Sequence, residues 1–221
     1  MTKGMRKDFQ REIKLNFSRF LSITLIVVLG VAFFSGLRAA KPAMQASADK
    51  QYDSENLMDI RVAGTLGMTD KDVDALKKVD GVQDAEGTYE QDFLCDTGNS
   101  EAVTKVMSLN DSISLVRVSE GRFPQGYNEC IADRSFLDAT GYKIGDTVKL
   151  TTGTDEKVSK YLATDEFTIV GVGTTSMYMD SDRGSAAIGT GRINGFLIVP
   201  KQAFTMSCYT SVHITVKDAM A

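Results

Sequence analysis

An uncharged stretch of 18 residues, Phe20–Leu37, limits most strongly what this 221-residue chain can fold into. As a helix it would reach about 27 Å, close to the ~30 Å hydrocarbon core of a bilayer. A helix that is apolar on all faces over this length is rare in the core of a soluble protein. The sequence therefore predicts one transmembrane helix. Its representative residues are Phe20, Leu25, Leu29, Gly30, Ala32, Gly36 and Leu37. Ala32 and Gly36 form a small-xxx-small pair, which permits close packing against another helix.

A cleaved signal peptide is the alternative interpretation of the same stretch. Ala46-Ser47-Ala48 has the small-residue pattern of a cleavage site, although it begins nine residues beyond the apolar run. The preceding basic segment is long, and the apolar run exceeds the usual 7–15 residues of a signal peptide. Both features favour a retained membrane anchor.

The charge distribution predicts the orientation of this helix. Residues 1–41 hold eight basic and two acidic residues, which leaves a net charge of -10 on residues 42–221. Six of the basic residues precede the span, so the positive-inside rule places the N-terminus in the cytoplasm and the rest outside, in the cell membrane. The acidic body has no basic patch with interleaved aromatic residues, which argues against a nucleic-acid partner.

The segments on either side of the span are also expected to be helical. In residues 1–19, Phe9, Ile13 and Phe17 recur at helical spacing among basic residues, typical of an amphipathic helix in the lipid headgroup layer. It would serve either as a cytoplasmic cap or as a coupling face for a cytoplasmic partner. Residues 38–56 are expected to extend the membrane helix outward as a stalk.

The sequence predicts an extracytoplasmic α+β domain over residues 57–221. Alternating residues predict a strand over 57–64, Thr69 begins a helix that stops at Gly81, and a second strand follows over 89–94. We expect these to form a β-α-β unit with parallel strands in one sheet. Further strands are predicted at 103–109, 113–118, 129–133, 147–151, 167–172, 196–199 and 211–216, with helices at 134–140 and 200–204. The pattern is compatible with subdomains 57–120 and 121–217.

One long connection in this domain is expected to have a role in function. Gly173–Asn194 is polar and glycine-rich, and connections of this length without secondary structure are uncommon in compact domains.

No group of residues predicts catalysis, a metal site or a cofactor. The single histidine, His213, alternates with apolar residues on a strand and is expected to be structural or solvent-facing. Cys95, Cys130 and Cys208 lack zinc-site spacing; one disulfide with one free thiol is allowed, but its pairing stays open. Asp165, Asp180 and Asp182 lack the remaining ligands of a calcium loop. We therefore predict that the chain is not an enzyme.

The order of the segments resembles a known family. The basic head is followed by RFLSITLIVVLGVAFFSGL, LMDIRV, LGMTDKDVDALKKVDGV, EGRFPQGYNEC, GYKIGDTVKL, FTIVGV, RGSAAIGTG and GFLIVPKQAF. Over about residues 6–217 this succession resembles the N-terminal part of MacB/FtsX-like ABC transporter permeases of Gram-positive bacteria. The resemblance implies a MacB-like core domain between the first and second membrane helices.

The resemblance also implies partners. A separate ABC ATPase would act from the cytoplasmic side and move the outer domain, for export or extraction of peptides, antibiotics or lipoproteins, or for mechanical signalling. Such permeases have at least four membrane helices, so this chain is expected to be a truncated reading frame or an excised fragment. It would require the remaining permease helices or a second permease subunit. The alternative is a single-pass anchored extracytoplasmic binding or sensor domain.

Overall fold

A computed structural model describes residues 3–97, 101–178, 183–217 and 219. The chain forms two compact units, residues 1–50 and residues 51–221.

The first unit is helical. Helix α1 spans Lys3–Leu15 and helix α2 spans Phe17–Ser54, so α2 begins in the first unit and ends in the second. Pro42 lies inside α2 without ending it. The helix is long and apolar enough to cross a membrane, and none of its apolar window is buried by protein. This agrees with the predicted apolar helix and its helical extension.

The described residues of the second unit form ten strands and two α-helices. The strands are β1 Ile60–Val62, β2 Val82–Thr88, β3 Glu90–Asp96, β4 Glu101–Leu109, β5 Val116–Gly121, β6 Glu129–Ala132, β7 Thr147–Thr151, β8 Glu166–Thr175, β9 Gly195–Pro200 and β10 Ser211–Val216. The helices are α3 Asp70–Lys77 and α4 Arg134–Thr140, and 3-10 turns lie at Val158–Lys160, Ser176–Tyr178 and Lys201–Ala203. The predicted α+β class is confirmed.

The larger sheet closes on itself. Its strand order is β5-β8-β6-β9-β4-β3-β7, and β7 also pairs with β8, so six strands form a barrel while β5 remains an additional edge strand. Most pairs are antiparallel, but β4–β9 and β6–β8 are parallel. All six strands contribute to one buried cluster, which includes Phe93, Phe167 and Leu197. Phe136 of α4 belongs to the same cluster, so this helix covers the barrel core.

Local sequence determines where α4 begins and ends. The Asp133 carboxylate accepts a hydrogen bond from the Phe136 N–H at 2.7 Å, which satisfies one of the free donors of the first turn. At the other end Gly141 adopts a left-handed conformation with φ of 80° and closes the helix.

The smaller sheet contains a β-α-β unit with parallel strands in one sheet, as predicted, but its second strand is not the predicted one. Its order is β1-β10-β2, with β10 antiparallel to both neighbours, so β1 and β2 are parallel but separated by β10. The strand that follows α3 is therefore β2, whereas the predicted strand at 89–94 belongs to the barrel as β3. The sequence signal missed β2 because only part of VQDAEGT alternates between apolar and polar residues.

The sheets also do not follow a division of the chain at residue 120. The C-terminal strand β10 completes the small sheet, while β3 and β4 lie in the barrel. Residues predicted as a strand over 113–118 form strand β5 only from Val116, and β5 pairs with β8 rather than with β4.

Candidate coupling site at the helix end

The residues predicted to face a membrane are exposed on α2. This holds for Phe20, Leu25, Leu29, Gly30, Ala32, Gly36 and Leu37. Of the predicted coupling face, Ile13 is half-buried and Phe17 is exposed. Phe9 lies in α1, but its side chain is outside the described residues. These apolar residues therefore lie on helices α1 and α2, and the structure does not identify a protein that they contact.

The end of α2 is fastened to the domain by a buried carboxylate. Glu55, the residue after α2, is 3% exposed. One of its oxygens accepts hydrogen bonds from the Ser176 N–H at 2.7 Å and from the Ser176 hydroxyl at 2.5 Å. The other oxygen lies 3.3 Å from the Arg117 guanidinium. Arg117 on β5 also donates to the Ser54 hydroxyl at 3.1 Å. A buried carboxylate with these partners fixes the last turn of the helix to both β5 and the segment after β8.

The backbone of this junction is bonded as well. The Leu115 N–H donates to the Glu55 carbonyl and the Ser114 N–H donates to the Asn56 carbonyl, each at 2.7 Å. The Asn56 side-chain amide donates to the Ser112 carbonyl at 2.6 Å. In the described part of the chain, Asn56 and Ser114 are the two non-glycine residues with positive φ, at 45° and 55°. Such conformations persist where the surrounding contacts determine them strongly.

A second carboxylate holds the loop that receives the helix end. We call residues 110–115 the junction loop. Glu86 on β2 accepts three backbone N–H bonds from this loop, from Asp111 at 2.8 Å and from Ser112 and Ile113 at 2.9 Å each. Lys201 forms an ion pair with the same carboxylate. The junction loop therefore joins the helix end, the small sheet and the turn after β9.

These contacts lower the pKa of Glu86. Burial alone would raise it, but the backbone donors of the junction loop and the Lys201 ammonium outweigh burial and lower the pKa to about 2. Glu86 therefore stays ionised at neutral pH and keeps its hydrogen bonds to the junction loop.

The cysteine and acidic side chains that sequence analysis considered and set aside form no metal or nucleophilic site in the described residues. Among the described residues no group of three or more His, Cys, Asp or Glu side chains could hold a metal ion. Burial raises the pKa of the Cys95 thiol to about 11 and also raises that of Cys130, so neither is an activated nucleophile. The three cysteines are free thiols, which answers the open disulfide question for this structure. Asp180 and Asp182 lie outside the described residues.

His213 lies on the predicted face of β10 but is not solvent-facing. Its side chain is fully buried between the small sheet and the barrel, where its Nδ1 lies 3.4 Å from the Asn110 amide. Of the two predicted roles for His213, structural or solvent-facing, the structure shows the structural one.

The loop Gly173–Asn194 begins within β8 and includes the turn that bonds Glu55. Further along, Arg183 donates to Asp133 at 3.0 Å and to the Ser135 hydroxyl at 3.2 Å, and it lies over the Phe196 ring. This part of the loop is therefore fixed against α4 and the sheet.

Sequence reasoning missed the main residues of this site. Glu55 and Glu86 are acidic residues in polar segments, where a solvated role is the ordinary expectation. Asn110-Asp111-Ser112 lies between the predicted strands 103–109 and 113–118, where a turn is the ordinary expectation. The usable signal was the position of an acidic residue directly at the end of the predicted stalk.

Neither a protein-family model nor a curated protein matches the sequence. Among solved structures, the extracellular domain of the noncanonic ABC-type transporter YknZ from Gram-positive bacteria is similar over 72% of this chain and 85% of its own, with 13% identity and a TM-score of 0.46. The periplasmic region of MacB from Actinobacillus actinomycetemcomitans is similar over 73% and 75%, with 14% identity and a TM-score of 0.44. A domain of a permease-type protein from Porphyromonas gingivalis is similar over 73% and 65%, with 14% identity and a TM-score of 0.37. These are distant likenesses of fold.

Proposed function

We propose that this chain is the N-terminal part of an ABC transporter permease subunit of the MacB/FtsX-like type. In this proposal α2 is its first membrane helix and residues 57–221 form its extracytoplasmic domain. The proposal rests on the order of sequence segments described above. The observation that carries it is that the helix holding the apolar span continues unbroken to Ser54, and that the domain buries and bonds the next residue, Glu55.

The same observation supports a mechanical role. A membrane anchor needs only a tether, and a flexible linker would supply one. Here the last turn of α2 and the next two residues are held by side-chain and backbone bonds to β5, to the junction loop and to Ser176. A separate ABC ATPase at the cytoplasmic side would displace the helix, and these contacts would pass the displacement to the domain. The remaining membrane helices or a second permease subunit, together with lipid, complete the assembly.

The work done by that movement would be export or extraction of peptides, antibiotics or lipoproteins, or mechanical signalling. The chain itself would not be an enzyme. ATP hydrolysis would belong to the partner subunit.

Orientation is the first test. Cys208 is the accessible cysteine in the domain, so a membrane-impermeant maleimide should label it in intact cells. The matched control is Cys208→Ser combined with Gly4→Cys, which moves the thiol to the N-terminal segment and should be labelled only after the cells are opened. The reverse pattern would contradict the proposed topology.

Coupling is the second test. The chain is co-expressed with an ABC ATPase and with the further permease helices that the proposal requires, and the ATPase rate of the purified assembly is compared with that of the Glu55→Ala assembly. In this proposal the extracytoplasmic domain changes the ATPase rate of the partner subunit. We expect Glu55→Ala to assemble normally but to lose most of that change. Lys149→Ala, an exposed change on β7, is the control. Equal rates for Glu55→Ala and the unaltered chain would contradict coupling through this junction.

A single-pass binding domain is the second candidate function, and one observation favours it. An open groove of about 560 Å³ lies between residues 64–67, residues 160–161 and residues 205–210. Leu66 at its rim is 93% exposed. Saturable binding of a small molecule or peptide by a chain that recruits no ATPase would support this candidate over the permease.

A further inference from the structure

The small sheet buries a polar face against the barrel. Its other face packs Val212 and Ile214 against α3. The polar face is formed by alternate residues of the three strands. Its buried residues are Glu86, Thr88, Ser211, His213 and Thr215, while the side chains of Arg61 and Asp84 are 46% and 38% exposed. The register places Arg61 and Glu86 directly beside His213, one on each side. Buried polar layers of this kind depend on every group having a partner.

His213 lacks one of its partners. The Asn110 amide nitrogen donates to the Ile113 carbonyl at 2.9 Å, and the amide oxygen of Asn110 accepts from the Ser108 hydroxyl at 3.3 Å. These bonds fix the orientation of the Asn110 amide, so its nitrogen faces the Nδ1 of His213 as a donor. Nδ1 must then be the acceptor, and the imidazole proton lies on Nε2. Buried Nε2 has no hydrogen-bond partner among the described residues.

Charged groups face the imidazole from every packed element. Arg61 comes from β1, Glu86 from β2 and Glu90 from β3, and one carboxylate oxygen of Glu90 lies 4.0 Å from Nε2. Lys201 follows β9 and pairs with Glu86 and with Asp111 of the junction loop. Burial is the largest influence on the pKa of His213; Arg61 and Lys201 lower it further, Glu86 raises it, and the resulting pKa is about 4. The neutral imidazole is the form that fits this site.

We propose that the contact between His213 and the junction loop is an acid-sensitive lock on the helix end. A proton bound at Nδ1 would point at the Asn110 amide nitrogen, which is already a donor. Two donors cannot share that contact, so Asn110 must turn and release Ile113, or the loop must withdraw from β10. Either movement shifts the residues whose backbone groups bond Asn56 and Glu55. This response to acid is a property of the extracytoplasmic domain and does not depend on the proposed transport function.

The full chain in detergent micelles provides the test, because it has one histidine. With the imidazole carbon labelled, a single NMR resonance reports the titration of His213. Hydrogen exchange, corrected for the intrinsic pH effect, reports the amides of Asp111 to Leu115, with strand β4 as the internal reference. We expect the resonance to titrate well below its ordinary pKa of 6.5. Over the same pH range, protection of the junction loop should fall roughly tenfold or more while β4 is unchanged.

His213→Gln is the matched variant, since it keeps a side-chain acceptor for Asn110 and does not titrate. Its loop protection should fall clearly less over that range than that of the unaltered chain. The part that remains belongs to Glu86, whose contribution is lost gradually from about pH 4.5 to about pH 2 and is the same in both chains. A histidine resonance that titrates near its ordinary value would overturn the lock. The lock would also be overturned if protection of the junction loop in the unaltered chain did not change as His213 titrates. This result can be obtained even if the variant fails to fold.

Discussion

The backbone N–H of Ser114 donates to the carbonyl of Asn56 at 2.7 Å, and both residues adopt left-handed backbone conformations. Asn56 directly follows the residues that end the long helix, and Ser114 lies in the loop that receives them. Two non-glycine residues with positive φ, bonded to each other, indicate a junction whose geometry is set by its contacts rather than by local preference.

Two substitutions at Asn56 distinguish the energetic cost of the left-handed backbone conformation from that of losing the side-chain hydrogen bond. Asn56→Gly and Asn56→Ala both remove the amide bond to Ser112, at a cost of about 1 kcal/mol. Alanine also meets the penalty of the left-handed conformation, about 1 kcal/mol or more, which glycine avoids. We therefore expect the glycine variant to be the more stable of the two. The measurement is denaturant unfolding of the full chain in micelles by tyrosine fluorescence, since the chain has no tryptophan. Equal stability of the two variants would contradict the assigned strain.

Glu55 and Arg117 should contribute unequally although they form one ion pair. Glu55→Ala leaves the buried Ser176 N–H without an acceptor, which we expect to cost roughly 2–3 kcal/mol of unfolding free energy. Arg117 is 56% exposed at its side chain, so Arg117→Ala should cost less than about 1 kcal/mol. A double-mutant cycle measured by the same unfolding assay gives the coupling between them. A larger loss from Arg117→Ala than from Glu55→Ala would show that the Ser176 bonds are not the main contact.

The sequence predicted the fold better than it predicted this junction. Apolar periodicity located α3 and most barrel strands, because those segments bury one face, whereas the long helix was located by its uncharged apolar run. The periodicity missed β2, in which the polar residue Glu86 points into an internal polar layer rather than into solvent. The order β1-β10-β2 could not be inferred from local pattern either, since it depends on a strand from the end of the chain. The roles of Glu55 and Glu86 require the three-dimensional position of the junction loop, which no local pattern contains.

Glu86 gives a prediction for the pH dependence of stability. Its pKa is lowered from 4.5 to about 2 in the folded chain, so the ionised carboxylate stabilises the fold above pH 4.5. That contribution, on the order of 3 kcal/mol for such a shift, should be lost as the pH falls from about 4.5 to about 2. Glu86→Gln should therefore be less stable than the unaltered chain at neutral pH, with the difference shrinking over that interval. Denaturant unfolding at several pH values measures it. A difference that stays constant with pH would contradict the role of the charge.

The three thiols should differ sharply in reactivity. Cys95 and Cys130 are buried in the barrel core and burial raises the pKa of both thiols, whereas Cys208 is partly exposed beside Gly67. Only the thiolate reacts with a disulfide reagent, so one thiol per folded chain should react rapidly and all three after denaturation. Cys208→Ser should abolish the rapid phase, and Cys130→Ser should leave it unchanged. Rapid reaction of two or three thiols in the folded chain would mean that the barrel opens readily, because Cys95 and Cys130 reach solvent only when its strands separate.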